Sequence, residues 1–452
     1  MNKTRFLSLL MGTALLICIL LFSSCGNELP PMEGDLPDLL EDFTEKITGG
    51  DFEGAYAFFD RPMRIALPKS RLKRVWTDLV SQAGSFVKAR GYVYEQTQGY
   101  DVFNVTLEFE NAFINMRTVF NSDKRVSGLF FQSGKDPDAP SYTLPSYGEP
   151  ALYTEEEIRF GLKDWELSGT LTIPDGEGPF PAVILVHGSG PNDRDESVGS
   201  CKPFTDIAVG LANKGIMVLR YDKRTYTHGN KFALIKEYTV YEETVEDARL
   251  AIDFLKNHPK ADPMKIHIIG HSLGGMLAPR IAEGREDVAG CILMAAAARP
   301  LEELILLQTR YLAQADGKVT PEEEKAIREL QKQKENIQSP NLSSKSPPSE
   351  LMGVPASYWL DLRQYSPVET AARLAIPLLV LQGERDYQVT MEDFGLFQEG
   401  LGNKKNVTFK SYPSLNHLFI RGDGKSLPEE YERPGNVAEE TIQDIADWIK
   451  SQ

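Results

Sequence analysis

Residues Lys265–Gly275 read KIHIIGHSLGG. Lys265–Ile269 has the apolar character of a buried strand, and Met276–Ala282 can form a helix. Between them Gly270, Gly274 and Gly275 surround Ser272 and remove side chains where a sharp strand-to-helix turn crowds the backbone. Such a turn holds its serine in a strained conformation with the hydroxyl at the top of a sheet. Pro279 lies inside the expected helix and costs it a hydrogen bond, which predicts a kink. Short Gly-x-Ser-x-Gly matches also arise by chance. Ser272 is a candidate nucleophile only if the rest of the chain supplies a sheet around it and partners for it.

The sheet is legible on both sides of that stretch. A hairpin is expected over Ile158–Ile173. Unbroken apolar runs follow: AVILVH before it, IMVLRYD next, then GCILMAA, PLLVLQG and NVTFKSY after it. Helical patterns separate them near Phe204–Asn213, over Thr239–Lys256, from Gly274, and over Val437–Lys450 with Asn436 as N-cap. Continuous apolar strands alternating with helices predict an α/β fold, a mainly parallel sheet covered on both faces. The stretch Ala298–Ile376 shows no strand. Leu301–Gln314 is amphipathic, and Thr320-Pro321-Glu322-Glu323 is a capping box that starts a charged helix reaching about Glu335. SPNLSSKSPPSE then reads as a flexible loop. This insert, about 300–360, is expected to form a helical cap over the strand ends.

Ahead of this domain the pattern differs. Leu36–Phe59 has helical spacing broken at Gly49-Gly50, with a second helix from Phe52 and another near Leu72–Gln82. After Gly84 four short runs alternate apolar and polar residues, as an antiparallel sheet with one covered face does. Residues 36–133 therefore predict a small α+β domain. Residues 134–150, rich in Pro, Ser and Gly, read as an extended linker, and 151–452 as the α/β domain. The first residues, MNKTRFLSLLMGTALLICILLFSSCGNELPP, begin with Lys3 and Arg5 and continue as an apolar run of leader-peptide length. The run ends in Ser23-Ser24-Cys25, which resembles a bacterial lipobox. The resemblance implies a signal peptide over 1–24 and a lipidated Cys25, followed by a spacer over 25–35, with a plain signal peptide or an uncleaved anchor as the alternatives. The body would then be exported and held by lipid on the outer face of a bacterial membrane.

The chain has 452 residues, 41% hydrophobic, and a formal net charge of -16. That length suggests more than one domain, and the acidic balance offers nothing to nucleic acid. No metal-ligand spacing such as C-x-x-C or H-E-x-x-H occurs, so neither metal nor cofactor is expected. Cys201 and Cys291 are not expected to pair, because CILMAAA reads as a core strand.

A serine hydroxyl needs a base, and the base needs an orienting carboxylate. Of six histidines, His417 alone follows Ser272, in the turn after the strand near Val407–Tyr412. In PLLVLQGERDYQV the acid is Asp386, with Glu384 as fallback. The order Ser, Asp, His along the chain is that of strand-elbow serine sites. An oxyanion needs backbone donors. The Leu273 N–H follows the serine, and the loop HGSGPNDRD supplies a second donor, Ser189, with Gly190 beside it.

HGSGPNDRD, RYDKR, GHSLGG, YWLDLRQYSP, LQGERDYQV and NHLF occur in an order that resembles α/β-hydrolases of the dienelactone-hydrolase and prolyl-oligopeptidase-like esterase group, over about Ala151–Gln452. The resemblance implies an α/β-hydrolase fold and a serine esterase for small acyl esters with Ser272, Asp386 and His417 as its triad. Asp193, Arg194, Asp195 and Arg224 are expected to brace the oxyanion loop by ion pairs, and Tyr358, Trp359 and Tyr387 either to line an acyl or alcohol pocket or simply to pack. GDFEGAYAFFD and VSGLFFQ make the first domain resemble the DUF3887 type, similar to cystatin and NTF2-like folds, whose partner is unknown. Two other readings stand beside the esterase: an exported peptidase using the same machinery, and a surface binding protein on a spent hydrolase fold.

Overall fold

The computed structural model describes residues 29–452 apart from 98, 135 and 139. The leader and Cys25 lie outside the described residues. The chain divides into two compact units, which part between Ala139 and Pro140.

In the first unit, helices Leu36–Thr48, Phe52–Ala57, Arg61–Ala66 and Lys69–Ala83 precede β1 (Phe86–Thr97), β2 (Tyr100–Phe109), β3 (Phe113–Phe120) and β4 (Val126–Ser133). The four strands form an antiparallel meander in chain order. Asp51 and Asp60 cap two of the helices through their side chains, accepting from Gly54 and Met63 N–H at 2.8 Å each. Burial alternates along β2 and β3, so Phe103, Val105, Leu107 and Phe109 join Ile114 and Met116 against the helices. The expected α+β layer is present, with the short helix Arg61–Ala66 as an addition that the apolar spacing did not mark.

The second unit is built on eight strands in the order β12-β11-β10-β9-β7-β8-β6-β5. Here β5 is Tyr153–Leu162, β6 Trp165–Pro174, β7 Phe180–Val186 and β8 Met217–Tyr221. The rest are β9 (Ala261–His271), β10 (Gly290–Met294), β11 (Leu378–Gly383) and β12 (Val407–Tyr412). The hairpin β5–β6 attaches antiparallel to β8, and the six others are parallel. Because strand side chains alternate, each apolar run feeds two cores. Ile184, Leu219, Ile268, Leu293 and Val380 face one helical layer, while Val183, Leu185, Val218, Ile269, Ile292 and Leu379 face the other. This is the α/β-hydrolase fold that the alternation predicts.

Three details depart from the sequence reading. The last helix starts at Glu439, not at Val437, with Ala438 at its N-cap. Asn436 caps nothing; its amide donates to the Thr143 carbonyl and to Asp206 Oδ1, both at 3.0 Å. Within the expected linker, residues from Pro140 onward belong to the second unit. The Tyr142 hydroxyl donates to Asp206 Oδ1 at 2.7 Å and the Tyr147 hydroxyl to the Val437 carbonyl at 2.5 Å. Finally, the helix expected from Thr239 opens as a π-helical turn, Tyr241–Val245, before becoming α-helical over Glu246–Lys256.

The segment between β10 and β11 contains helices Leu301–Ala313, Pro321–Gln338, Ala356–Leu362 and Pro367–Arg373, and no strand. The capping box is formed: Thr320 Oγ1 accepts from Glu323 N–H at 3.2 Å, and Glu323 Oε2 accepts from Thr320 N–H at 2.7 Å.

Candidate active site

Ser272 stands at the C-terminal end of β9, with φ 55 and ψ -117. A non-glycine residue reaches that region only when the surroundings hold it there. The glycines show what does the holding. A Cβ on Gly270 would fall 2.2 Å from the Gly274 carbonyl oxygen, and one on Gly274 would fall 2.1 Å from the Val186 carbonyl oxygen. The turn is thus pressed against its own far side and against β7. Ser272 N–H donates to the Met294 carbonyl at 2.9 Å, which pins the turn to β10. The helix Leu273–Ala282 starts at once and runs through Pro279. As its first residue, Leu273 has an N–H with no acceptor inside the helix, at the end where the helix dipole favours negative charge.

Asp386 and His417 meet in the loops after β11 and β12. Asp386 Oδ2 accepts from His417 Nδ1 at 2.6 Å, and the two side chains are buried. The carboxylate is held on its other side as well. Its Oδ1 accepts from the N–H groups of Gln388 and Val389 at 2.7 and 3.0 Å, and Oδ2 from Gln382 Nε2 at 3.2 Å. These donors fix the carboxylate, and its bond to Nδ1 sets the orientation of the His417 ring. Glu384 is exposed and bonds instead to the Ser411 hydroxyl at 2.8 Å. Of the two acids, Asp386 is the one beside the histidine.

Two residues outside the candidate set, His271 and Glu196, connect the site's loops. His271 Nε2 donates to the His417 carbonyl at 2.9 Å, and its Nδ1 lies 2.8 Å from Glu196 Oε2 in an oblique ion-pair contact. The other Glu196 oxygen accepts from the Gly188 N–H at 2.6 Å. Burial disfavours charge on both His271 and Glu196, yet their mutual attraction outweighs it, raising the imidazole pKa and lowering the carboxyl pKa. A signal existed: His271 is a polar residue closing an apolar strand, and Glu196 follows the Asp-Arg-Asp triplet.

The loop after β7 passes over the serine. A Cβ on Gly188 would approach Ser272 Cβ to 3.2 Å, so the loop reaches Ser189 directly beside Ser272. Ser189 and Gly190 are exposed, and Gly190 has φ 92 with open space around it. Arg194 grips Asp222 through two bonds, Nη2–Oδ2 at 2.8 Å and Nε–Oδ1 at 3.2 Å, and also meets Glu157. Asp195 pairs with Arg220, and with Lys202 at 2.9 Å. Asp193 holds backbone instead: its Oδ1 accepts from the Ser197 N–H at 2.9 Å. Arg224 is not part of this brace; it binds Asp247 (Nε–Oδ2, 2.9 Å) and Glu246 (2.7 Å).

The aromatic candidates are placed as follows. Tyr387, beside Asp386, stacks on Tyr311 of the helix Leu301–Ala313, with ring centres 4.9 Å apart. Tyr311 donates to the Ser426 carbonyl at 3.0 Å, and Gln308 Nε2 donates to the Gln388 carbonyl at 3.0 Å, so that helix is fastened over the acid loop. Tyr358 and Trp359 are buried; Trp359 Nε1 donates to the Leu351 carbonyl at 2.9 Å and the Tyr358 hydroxyl to Glu243 Oε2 at 2.8 Å.

A strained serine between β9 and a helix, with an acid and a histidine delivered by the loops after β11 and β12, defines the α/β-hydrolase class. Residues 178–423, more than half the chain, match the family model described as serine aminopeptidase, S33, and the chain belongs to that family. Residues 41–129 match DUF3887, described as a protein of unknown function. Esterase EstD of Thermotoga maritima is 39% identical over 408 residues, spanning 90% of this chain and 93% of that protein. The uncharacterized peptidase YtmA of Bacillus subtilis is 22% identical over 302 residues, 67% of this chain and 94% of that protein. Among solved structures, an esterase of Pyrococcus furiosus aligns with a TM-score of 0.43 at 17% identity, over 70% of this chain and 99% of that one.

Proposed function

We propose that this chain is a carboxylic ester hydrolase acting on small acyl esters, with Ser272, His417 and Asp386 as its triad. The observation that carries the reading is the strained backbone of Ser272 at the head of its strand, in a chain 39% identical to an esterase over most of its length. His417 Nε2 takes the Ser272 proton as Oγ attacks the ester carbonyl, forming a C–O bond and a tetrahedral oxyanion. The N–H groups of Leu273 and Ser189 receive that oxyanion, each worth on the order of 3 kcal/mol in the barrier. Asp386 holds the imidazole tautomer and stabilises its charge. The leaving alcohol takes the proton from His417, and water, deprotonated by the same nitrogen, releases the acid and regenerates Ser272. Purified protein should hydrolyse p-nitrophenyl acetate and butyrate and take up a fluorophosphonate probe at Ser272, with Ser272→Ala losing both. A folded wild type without either activity would turn the reading towards the binding-protein alternative.

The peptidase reading keeps one specific support, the description of the family model. The same machinery cleaves amides, so substrates decide. A clear preference for aminoacyl-p-nitroanilides over p-nitrophenyl esters would replace the esterase assignment.

Export and lipid anchoring rest on the first 25 residues of the sequence alone. We propose that Cys25 becomes the diacylated N-terminus. Mass spectrometry of the protein purified from membranes tests this: an N-terminal peptide beginning at unmodified Met1 or Cys25 would overturn it.

A further inference from the structure

Gly188 is held from both sides. Its N–H is taken by Glu196, and its carbonyl oxygen accepts from Lys223 Nζ at 2.9 Å. Asn192 Nδ2 adds a longer bond to the same oxygen, at 3.2 Å. That carbonyl belongs to the peptide unit whose other end is the Ser189 N–H. In a trans peptide the C=O and the following N–H point in opposite directions, and the one cis bond among the described residues is elsewhere, at Gly178-Pro179. Holding the Gly188 oxygen therefore sets the direction of the Ser189 N–H. A cation on the oxygen also polarises the amide and strengthens the N–H as a donor.

Lys223 is unusual for a lysine in being 2% exposed. Its charge is balanced by Glu243 Oε1 at 2.8 Å. Glu243 sits in the π-helical turn Tyr241–Val245, a geometry that recurs at functional sites. Its second oxygen accepts from Tyr358, on the insert helix Ala356–Leu362. One continuous chain thus runs Tyr358, Glu243, Lys223, Gly188 carbonyl. An ion pair that only held the fold together would gain nothing from ending on this particular carbonyl; a buried hydrophobic pair would serve as well.

We propose that Lys223 is a positioning residue for the oxyanion site: it aims and strengthens the Ser189 N–H, and the helical insert reaches that donor through Tyr358 and Glu243. The inference rests on the esterase reading above.

The test uses the full chain, wild type, Lys223→Met and Tyr358→Phe, with p-nitrophenyl butyrate as substrate. A butyryl-type trifluoromethyl ketone, which forms a reversible hemiketal oxyanion on the serine, is the second probe. Lys223→Met is expected to lower kcat ten- to a hundredfold with KM within twofold, and to weaken the ketone by the same factor. Tyr358→Phe, which deletes one hydroxyl, is expected to do the same two- to fivefold. Unchanged kcat and ketone affinity in folded Lys223→Met, or a loss confined to KM, would overturn the proposal. If that variant does not fold by circular dichroism, Tyr358→Phe decides on the same criteria. A wild type no more active than Ser272→Ala would instead sink the esterase reading, and the positioning role with it.

Discussion

The His271 imidazole donates to the backbone carbonyl of His417 at 2.9 Å, so the residue before Ser272 holds the loop that carries His417. Glu196 faces the other nitrogen of the same ring and also holds Gly188, which ties three loops to one buried ion pair. Replacing His271 by Ala leaves Glu196 buried without its counter-charge. The expected cost is about 3 kcal/mol or more, read as a lowered urea midpoint. Glu196→Gln combined with His271→Ala should recover part of that loss, since no bare charge remains.

The same pair sets a pH window for stability. The His271 pKa is raised on folding, so its contribution is complete below the ordinary histidine value near 6.5 and fades as pH rises through the higher folded value. Glu196 is lowered on folding, so its contribution is complete above 4.5 and fades as pH falls through the lower folded value. Denaturation midpoints of wild type and His271→Gln should therefore converge as pH climbs above neutrality. A constant gap up to pH 9 would show that this imidazole does not titrate differently in the fold.

The strain at Ser272 has a measurable consequence. Glycine accepts φ 55 freely and alanine does not. Both Ser272→Gly and Ser272→Ala should reduce ester turnover by about 10⁴-fold or more. Ser272→Gly should nevertheless be the more stable of the two by about 1 kcal/mol, visible as a higher Tm.

Asp386→Asn keeps the shape but presents an amide to a site built from donors: the N–H groups of Gln388 and Val389, Gln382 Nε2 and His417 Nδ1. With the NH₂ in the place of Oδ2, two donors, Gln382 Nε2 and His417 Nδ1, must now face it, and His417 is expected to turn to the wrong tautomer. kcat should fall by about 10³- to 10⁴-fold with little change in KM.

Gly274→Ala should damage the fold itself. The added methyl would sit 2.1 Å from the Val186 carbonyl oxygen, a backbone atom of the neighbouring strand that cannot move aside. A loss of about 3 kcal/mol or more is expected, measured as reduced soluble yield and Tm together.

The strands and helices around Ser272 were legible because they follow local rules. Apolar runs of strand length, helical periodicity, a capping box at Thr320 and glycines around a serine are all written in neighbouring residues. Chain order then named Asp386 and His417, because a strand-elbow site draws its partners from later loops in sequence. The π-helical turn at Tyr241–Val245 and the packing of Tyr142 and Tyr147 had no such local mark. Their partners lie in other elements: Lys223 and Tyr358 bond to Glu243, and Asp206 and the Val437 carbonyl accept from the tyrosine hydroxyls.

The sequence by itself determined that a parallel sheet would carry Ser272 at the end of one of its strands, with an acid and a histidine to follow. Only the tertiary structure decided how the loops are held once they arrive. Glu196, Lys223 and Glu243 look in the sequence like ordinary surface charges, and His271 like a spacer within a motif. Buried, they pair as His271 with Glu196 and Lys223 with Glu243, and both pairs hold the Gly188 peptide, because a charge removed from water must find its partner inside the protein. Such partners are chosen by proximity in three dimensions, over separations that no periodicity in the chain records.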